Sequence, residues 1–102
     1  MDRIASLKEI LSQDPNNAFA RYSLATEYSG RGEIEAALAE FSSLLRANPD
    51  YTNGYFMAAQ TLMKADRTEE ARQMLADGLS CARRTSNRHA ESEMQSMLDE
   101  LG

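Results

Sequence analysis

The feature that most constrains this chain is a sequence repeat of 34 residues. Pro15 and Pro49 stand one period apart, and so do Ala25 and Ala59. Two apolar slots recur three times, at Leu7, Phe41 and Leu75 and at Leu11, Leu45 and Leu79. Self-similarity at this period is typical of helical units that are too small to bury their apolar faces alone. The sequence therefore predicts a stack of helical units that pack against their neighbours.

Composition favours helices and argues against some functional classes. The chain has 102 residues, which predicts one domain. With 5 Gly and 2 Pro, it lacks the turn residues that many short strands would need. Its formal net charge of −5 disfavours nonspecific binding of nucleic acid, because neutralising phosphates requires clustered cations. We therefore expect a helical protein without a nucleic-acid partner.

We expect a cytoplasmic protein that does not bind membranes. Charged residues stand within positions 2–9, where a secretory signal would have an uninterrupted apolar run. No later segment approaches the roughly 18 apolar residues that a membrane helix needs. The single Cys81 cannot form an intrachain disulfide, which is compatible with a reducing compartment.

Apolar residues at helical spacing predict six helices. The segments are 2–13, 17–29 and 33–47, a fourth helix that begins near Thr52, a fifth within 66–84 and a last one within 85–102. Asp50 or Thr52 would cap the fourth helix, and Asp66 with Glu69 resembles a capping box for the fifth. Asn53-Gly54 is also a hairpin signal, but its flanks lack apolar alternation, so a helix is preferred there.

The last segment departs from the period. A shift of 36 residues, instead of 34, brings Met94 and Leu98 onto the slots of Ala58 and Leu62. The stripe that contains these residues is narrow and lies on an otherwise polar helix. We expect this helix to cap the stack.

The segment 18–51 resembles a tetratricopeptide repeat. The residues that stand at the family's spacing are Leu24, Ala25, Tyr28, Ala37, Phe41 and Pro49. Residues 52–85 resemble a degenerate second copy. Its departures are Asp66 at the turn glycine, Gly78 at a slot for packed alanine, and Arg83 in place of the final proline. The last departure predicts a longer fifth helix.

The resemblance, to a small bacterial-type member of the family, implies an all-α superhelix of about six antiparallel helices in a single domain. Its parts would be a half repeat (1–15), two full repeats (16–49 and 50–84) and a capping helix (85–102). It also implies a non-catalytic module that binds a protein or peptide in a concave groove, lined by the first helix of each repeat. At the family's contact slots this chain has Phe19, Tyr22, Thr26, Asn53, Phe56, Gln60, Met63 and Lys64.

Tyr22 and Phe56 are one period apart and would form an aromatic ladder along the groove. Alternatively they fill the core, since Arg21 occupies the family's Trp slot and leaves that corner to Tyr22 or Phe19. If Phe56 lines the groove, Phe56→Ala should weaken binding and leave the melting temperature nearly unchanged. A clamp for a terminal carboxylate is disfavoured, because Tyr22 and Thr26 replace the Lys and Asn that the family uses.

No residue pattern predicts catalysis, a metal or a cofactor. Cys81 and His89 could form a nucleophilic pair only from different helices, and Cys81 shares a slot with the small Ala47, which predicts a buried, inert thiol. His89 and Glu93 have the spacing of helix-borne metal ligands, but two ligands do not make a site. We expect a solvated surface pair.

Two further surfaces have alternative interpretations. Arg83, Arg84 and Arg88 could attract an acidic ligand, but cations at a helix C-terminus also complement the helix dipole, and we prefer this structural role. The first helix could pair with a copy of itself through Ile4 and Ile10, which would make a self-association module. We therefore expect a monomer or a weak homodimer.

Overall fold

The computed structural model describes residues 2–102, which form six α-helices. They are α1 (Arg3–Gln13), α2 (Ala18–Gly30), α3 (Ile34–Ala47), α4 (Thr52–Lys64), α5 (Thr68–Arg84) and α6 (Arg88–Leu101). Within these described residues there is no β-strand, and Asn53-Gly54 lies in the first turn of α4. The all-α prediction is confirmed, and so is the preference for a helix over a hairpin at Asn53-Gly54.

The six helices form two layers. Each helix packs against the next one along the chain, and the turns between them are short, so neighbours run antiparallel. In addition, α2 contacts α4 and α4 contacts α6, whereas α1, α3 and α5 do not approach one another within the described chain. The stack therefore bends, with the inner layer (α2, α4, α6) on its concave side and the outer layer (α1, α3, α5) spread apart.

The core is divided into three clusters, and each one is shared between repeats. The first cluster joins α2, α3 and α4 through Ala25, Ala37, Phe41, Leu44 and Ala58. The second joins α4, α5 and α6 through Ala59, Leu75, Leu79, Ala82 and Met94. The third joins α1 and α2 through Ile4, Leu11, Ala20 and Leu24. The helix pairs of the two full repeats, α2–α3 and α4–α5, each complete their cluster with a helix of the next unit, which is the physical reason for the repeated architecture.

Three of the turns contain a residue in the left-handed conformation, namely Gly32, Asp66 and Ser86 with φ of 78°, 59° and 56°. In each turn the following residue donates its N–H to a carbonyl five residues back, at 3.0, 2.9 and 2.8 Å. This is the hydrogen bond of a Schellman C-cap. The turns after α2, α4 and α5 therefore have the same geometry, although only the first has glycine at the left-handed position.

The predicted caps of α4 and α5 are wrong. Asp66 occupies the left-handed turn position that Gly32 occupies one period earlier. The N-cap of α5 is therefore Arg67, whose side chain forms no capping hydrogen bond. The N-cap of α4 is Tyr51, and Thr52 instead contacts the carbonyl oxygen of Asp50 at 3.4 Å. A capping pattern in the sequence does not show whether its first residue caps the helix or belongs to the turn before it.

The predicted length of the fifth helix and the shifted register of the last one are confirmed. Helix α5 has 17 residues and ends at Arg84, whereas α3 has 14 residues and ends before Pro49. Because α5 is longer, α6 begins at Arg88, 36 residues after Thr52 at the start of α4. The shift therefore follows from the missing proline.

Candidate functional site

The predicted contact residues lie on α2 and α4, two neighbouring helices of the inner layer. A buried hydrogen bond joins these helices: the hydroxyl oxygens of Ser29 and Thr61 are 2.7 Å apart. Thr61 donates its proton to the carbonyl oxygen of Met57 at 2.8 Å, so Ser29 is the donor of the bond between the helices. No signal in the sequence indicates this contact, because the two residues stand 32 positions apart on different helices. The side chain of Ser29 is buried and serves the packing of the layer.

Phe19 stands at the beginning of α2 with 70 % of its surface exposed. In the described chain it and Ile10, which is 44 % exposed, are the large apolar side chains that face solvent. One period later on α4, Asn53 is exposed as well. At equivalent positions of the two repeats, α2 therefore exposes an apolar ring and α4 an amide that can donate and accept hydrogen bonds.

Tyr22 is half-buried and packs against the first cluster. Its ring centre lies 5.4 Å from that of Tyr51, with the planes tilted by 41°. Burial raises the pKa of Tyr22, and the neighbouring Tyr51 raises it further. Of the two aromatic residues near Arg21, Tyr22 packs against the core and Phe19 is exposed.

Arg21 keeps a structural role at the family's Trp slot. Its guanidinium donates to the carbonyl oxygen of Pro15 at 3.3 Å and to Glu40 at 2.8 Å. One period later, the hydroxyl of Tyr55 donates to the carbonyl oxygen of Pro49 at 2.8 Å. Arg21 and Tyr55 are unlike side chains at the same repeat position, and each bonds the carbonyl oxygen of the proline six residues before it. The spacing alone did not reveal this shared contact.

The remaining predicted residues differ in exposure. Thr26, Gln60 and Met63 are half-buried, and Lys64 is exposed at the end of α4. Thr26 donates to the carbonyl oxygen of Ser23 at 3.0 Å within its own helix. Phe56 is half-buried and packs against the second cluster. We therefore expect Phe56→Ala to lower the melting temperature, instead of leaving it nearly unchanged.

Comparison with known proteins now decides the family. The sequence model described as Tetratricopeptide repeat matches residues 28–91, which is more than half of the chain. The chain belongs to the tetratricopeptide repeat family. The matched residues run from the end of α2 to the first turn of α6, so the match includes all three left-handed turns.

Solved structures agree with this assignment. A tetratricopeptide repeat domain protein from Salinibacter ruber is 32 % identical, with a TM-score of 0.80, over 86 % of this chain and 89 % of that one. A protein from Bordetella parapertussis is 25 % identical, with a TM-score of 0.86, over 99 % and 88 %. The TPR2B domain of yeast Sti1, in a complex with pHsp70, is 13 % identical, with a TM-score of 0.88, over 96 % and 78 %. The last similarity concerns the fold alone.

The inner layer of this tetratricopeptide repeat protein extends beyond the two predicted helices. Helix α6 lies beside α4 just as α4 lies beside α2. Thirty-six residues after Asn53, Phe56 and Gln60 stand three exposed polar residues of α6: His89, Ser92 and Ser96. The shifted register contained the signal for these residues, but the predicted site was confined to the two full repeats.

The basic cluster serves the connections between helices. Arg84 donates to Asp50 at 2.7 Å and to the carbonyl oxygen of Pro49 at 3.2 Å. Arg83 donates to Glu91 at 2.9 Å, which joins α5 to α6. These contacts tie the end of α5 to both neighbouring elements, in agreement with the structural interpretation.

The polar residues that could carry chemistry are separated. Cys81 is a free, buried thiol whose sulfur lies 3.4 Å from the hydroxyl oxygen of Thr52. His89 and Glu93 form an exposed surface pair at 2.5 Å. Among residues 2–102, no group of three or more His, Cys, Asp or Glu could hold a metal ion. None of the helices in that range combines the length and the apolar character needed to cross a bilayer.

The first helix offers less to self-association than its sequence predicted. Ile4 is buried in the third cluster, so this residue is not available for a contact with a second copy. Ile10 remains exposed, but its neighbours Lys8, Glu9 and Ser12 on α1 are polar and exposed. The predicted dimer contact at Ile4 is therefore wrong.

Proposed function

We propose that this tetratricopeptide repeat protein is a non-catalytic interaction module that binds a peptide or partner segment along the inner layer. The observation that carries the proposal is the exposure of Phe19, a residue of the inner-layer helix α2 that is 70 % accessible. Burying a side chain of this kind contributes about 1.5–3 kcal/mol, and the fold leaves most of that contribution unused. Binding of a partner that covers Phe19 would gain this free energy of burial.

The neighbouring residues define the chemistry of the partner. Tyr22 and Phe56 are half-buried, so each has an accessible side that can extend the apolar contact beyond Phe19. Asn53 and Gln60 can fix the register of a bound backbone through hydrogen bonds, and Lys64 adds one positive charge at the end of α4. The partner segment should therefore be partly apolar, with polar groups between its apolar side chains.

The fold itself supports a protein partner. The TPR2B domain of yeast Sti1 has the same fold and was solved in a complex with pHsp70. The residues of this chain do not reproduce the Lys and Asn of a carboxylate clamp, because Tyr22 and Thr26 stand at those slots. We therefore propose recognition of an internal segment, in which apolar side chains contribute more than a terminal carboxylate.

The experiment uses peptides selected from a random displayed library on the wild-type chain. For the selected peptides, Phe19→Ala should weaken affinity by about tenfold or more, as expected for a central aromatic contact. Its melting temperature should not change measurably, because Phe19 packs against none of the three clusters in the described chain. Fluorescence anisotropy and thermal denaturation measure the two effects.

Ile10→Ala is the matched control. It removes the other exposed large apolar side chain, which lies on α1 in the outer layer. Its affinity for the selected peptides should equal that of the wild type. If the two substitutions weaken binding equally, or if Phe19→Ala has no effect on any selected peptide, the proposed surface is wrong.

A further inference from the structure

A second opening lies in the outer layer, and Phe19 is not among the residues that line it. The backbones of α3 and α5 do not approach each other, although Met74 of α5 packs against the first cluster. A trough of about 690 Å³ is lined by residues of both helices. Its floor includes Tyr55 and Leu62 of α4, the helix beneath. A further hollow of about 490 Å³ is also lined by Tyr55, which gives the opening an elongated form. We call this opening the outer trough.

The apolar character of the outer trough is specific to the second repeat. Its lining includes Tyr55 and Met74. One period earlier these two slots hold Arg21 and Glu40, which form an ion pair at 2.8 Å. The equivalent place between α1 and α3 is therefore occupied by two charged side chains that satisfy each other. In the outer trough the same slots offer apolar surface instead.

One apolar residue of the α3 wall lies outside the three core clusters and lines the trough. Leu38 is half-buried on α3, and in the described chain it is not among the apolar residues that pack against the three clusters. Leu45, further along the same wall, lies over Gly54 of α4. Leu45 therefore fixes α4, whereas Leu38 presents its side chain to the trough.

The rim of the trough is more acidic than basic. At one end Arg67 is shared by Glu35 and Glu70. Asp77, on the α5 wall, accepts a hydrogen bond from Gln73 at 3.0 Å and forms no ion pair within residues 2–102. Arg46 is the second cation of the rim. The three carboxylates outnumber the two guanidinium groups, and the carboxylate of Asp77 is available to a cation.

We propose that the outer trough binds an amphipathic helix of a partner protein, with an apolar stripe flanked by Lys or Arg. A wall of 14 residues, the length of α3, spans about 21 Å and matches about four turns of a bound helix. Two neighbouring helices with an apolar floor between them are the usual receptor for such a helix. Apolar side chains would contact Leu38 and Met74, and a cation would pair with Asp77.

Charge also distinguishes this partner from a second copy of the chain. The net charge of −5 favours approach of a basic partner and opposes pairing between two copies. The proposal is independent of the function proposed for the inner layer, because no predicted contact residue of α2 or α4 lines the trough.

The probe is a synthetic helix of about 18 residues, with Leu at every third or fourth position and Lys on both flanks. With the ¹⁵N-labelled chain, amide shifts should concentrate on α3 and α5. Leu38→Glu and Asp77→Lys should each weaken binding by about tenfold or more. Ser96→Glu, which adds a charge on the exposed surface of α6, is the control and should leave the affinity within about twofold. Asp77→Lys also keeps the test valid if Leu38→Glu impairs folding.

Three results would overturn the proposal. A control peptide with Ser in place of Leu that binds equally well would show an interaction of charge alone. Amide shifts on α2 and α4, together with weaker binding of Phe19→Ala, would place the probe on the inner layer. Sedimentation of a wild-type dimer that Leu38→Glu dissociates would make a second copy the occupant. The first and third results leave the proposed function of the inner layer untouched.

Discussion

The interface between α3 and α4 and the interface between α5 and α6 use the same slots with the sizes of the side chains reversed. In the first, the large Leu44 shares a cluster with the small Ala58. In the second, Gly78 stands at the slot of Leu44, and Met94, 36 residues after Ala58, fills the space above it. A Cβ atom on Gly78 would lie 2.5 Å from the sulfur of Met94 and 2.8 Å from Cβ of Tyr55.

This reversal changes the meaning of the second repeat's departures from the family pattern. A glycine inside a helix costs about 1 kcal/mol relative to alanine, so Gly78 by itself weakens α5. The absence of its side chain allows α6 to insert a fully buried methionine instead. The second repeat is therefore matched to α6, because the larger side chain of Met94 fills space that the missing side chain of Gly78 leaves open.

The largest effect should come from Met94→Ala. It removes a fully buried side chain above a glycine, and the glycine cannot fill the resulting cavity. We expect the free energy of unfolding to fall by about 2–5 kcal/mol, measured by urea denaturation. Met97→Ala, at a half-buried position of the same helix, is the control and should cost less. Equal losses in the two variants would contradict the role given to Met94.

The reversal itself can be tested by exchanging the sizes. Gly78→Leu alone should lower the free energy of unfolding by at least about 1–3 kcal/mol, because the added side chain would clash with Met94 and Tyr55. Combined with Met94→Ala, it copies the arrangement of Leu44 and Ala58. The loss of unfolding free energy in the double variant should be smaller than the sum of the two single losses by about 1 kcal/mol or more. Strict additivity would show that the two slots do not share one volume.

A smaller effect is expected at the surface of the same cluster. Phe56→Ala should lower the free energy of unfolding by about 1–2 kcal/mol, since the buried part of its ring no longer packs against the second cluster. Phe19→Ala, in the other repeat, should change it by less than about 0.5 kcal/mol, as is usual for exposed positions. Thermal denaturation of both variants compares the stability contribution of Phe56, which is partly buried, with that of Phe19, which is exposed. A melting temperature unchanged by Phe56→Ala would remove Phe56 from the core.

The smallest effects concern the left-handed turns. Gly32→Ala should cost about 1 kcal/mol, because the cost of a left-handed alanine exceeds the gain from a stiffer unfolded chain. No neighbouring atom would obstruct the added methyl group, so the cost lies in the backbone. Asp66→Gly, at the equivalent turn, should change stability by no more than about 0.5 kcal/mol. Chemical denaturation measures both, and a larger loss at Asp66 would indicate an unseen role of its carboxylate.

Much of the fold could be predicted because its signals are local. Pro15 and Pro49 end the helices before them, and apolar residues at helical spacing identify the buried faces. The absence of proline at Arg83 predicted the longer α5, and the positions of Met94 and Leu98 predicted the register of α6. The candidate site was harder to predict, because a slot such as that of Tyr22 or Phe56 can face a ligand or the core, and in the structure both side chains are half-buried against a core cluster.

The sequence by itself determined the number of helices, the repeat and the family, since these follow from spacing along one chain. The tertiary structure alone decided which polar groups meet and where space remains. Ser29 and Thr61 bond across two helices although they stand 32 residues apart. The outer trough opens because the stack bends, so that the inner helices touch while α3 and α5 separate. Such contacts and gaps depend on the relative positions of several helices, and no local pattern contains them.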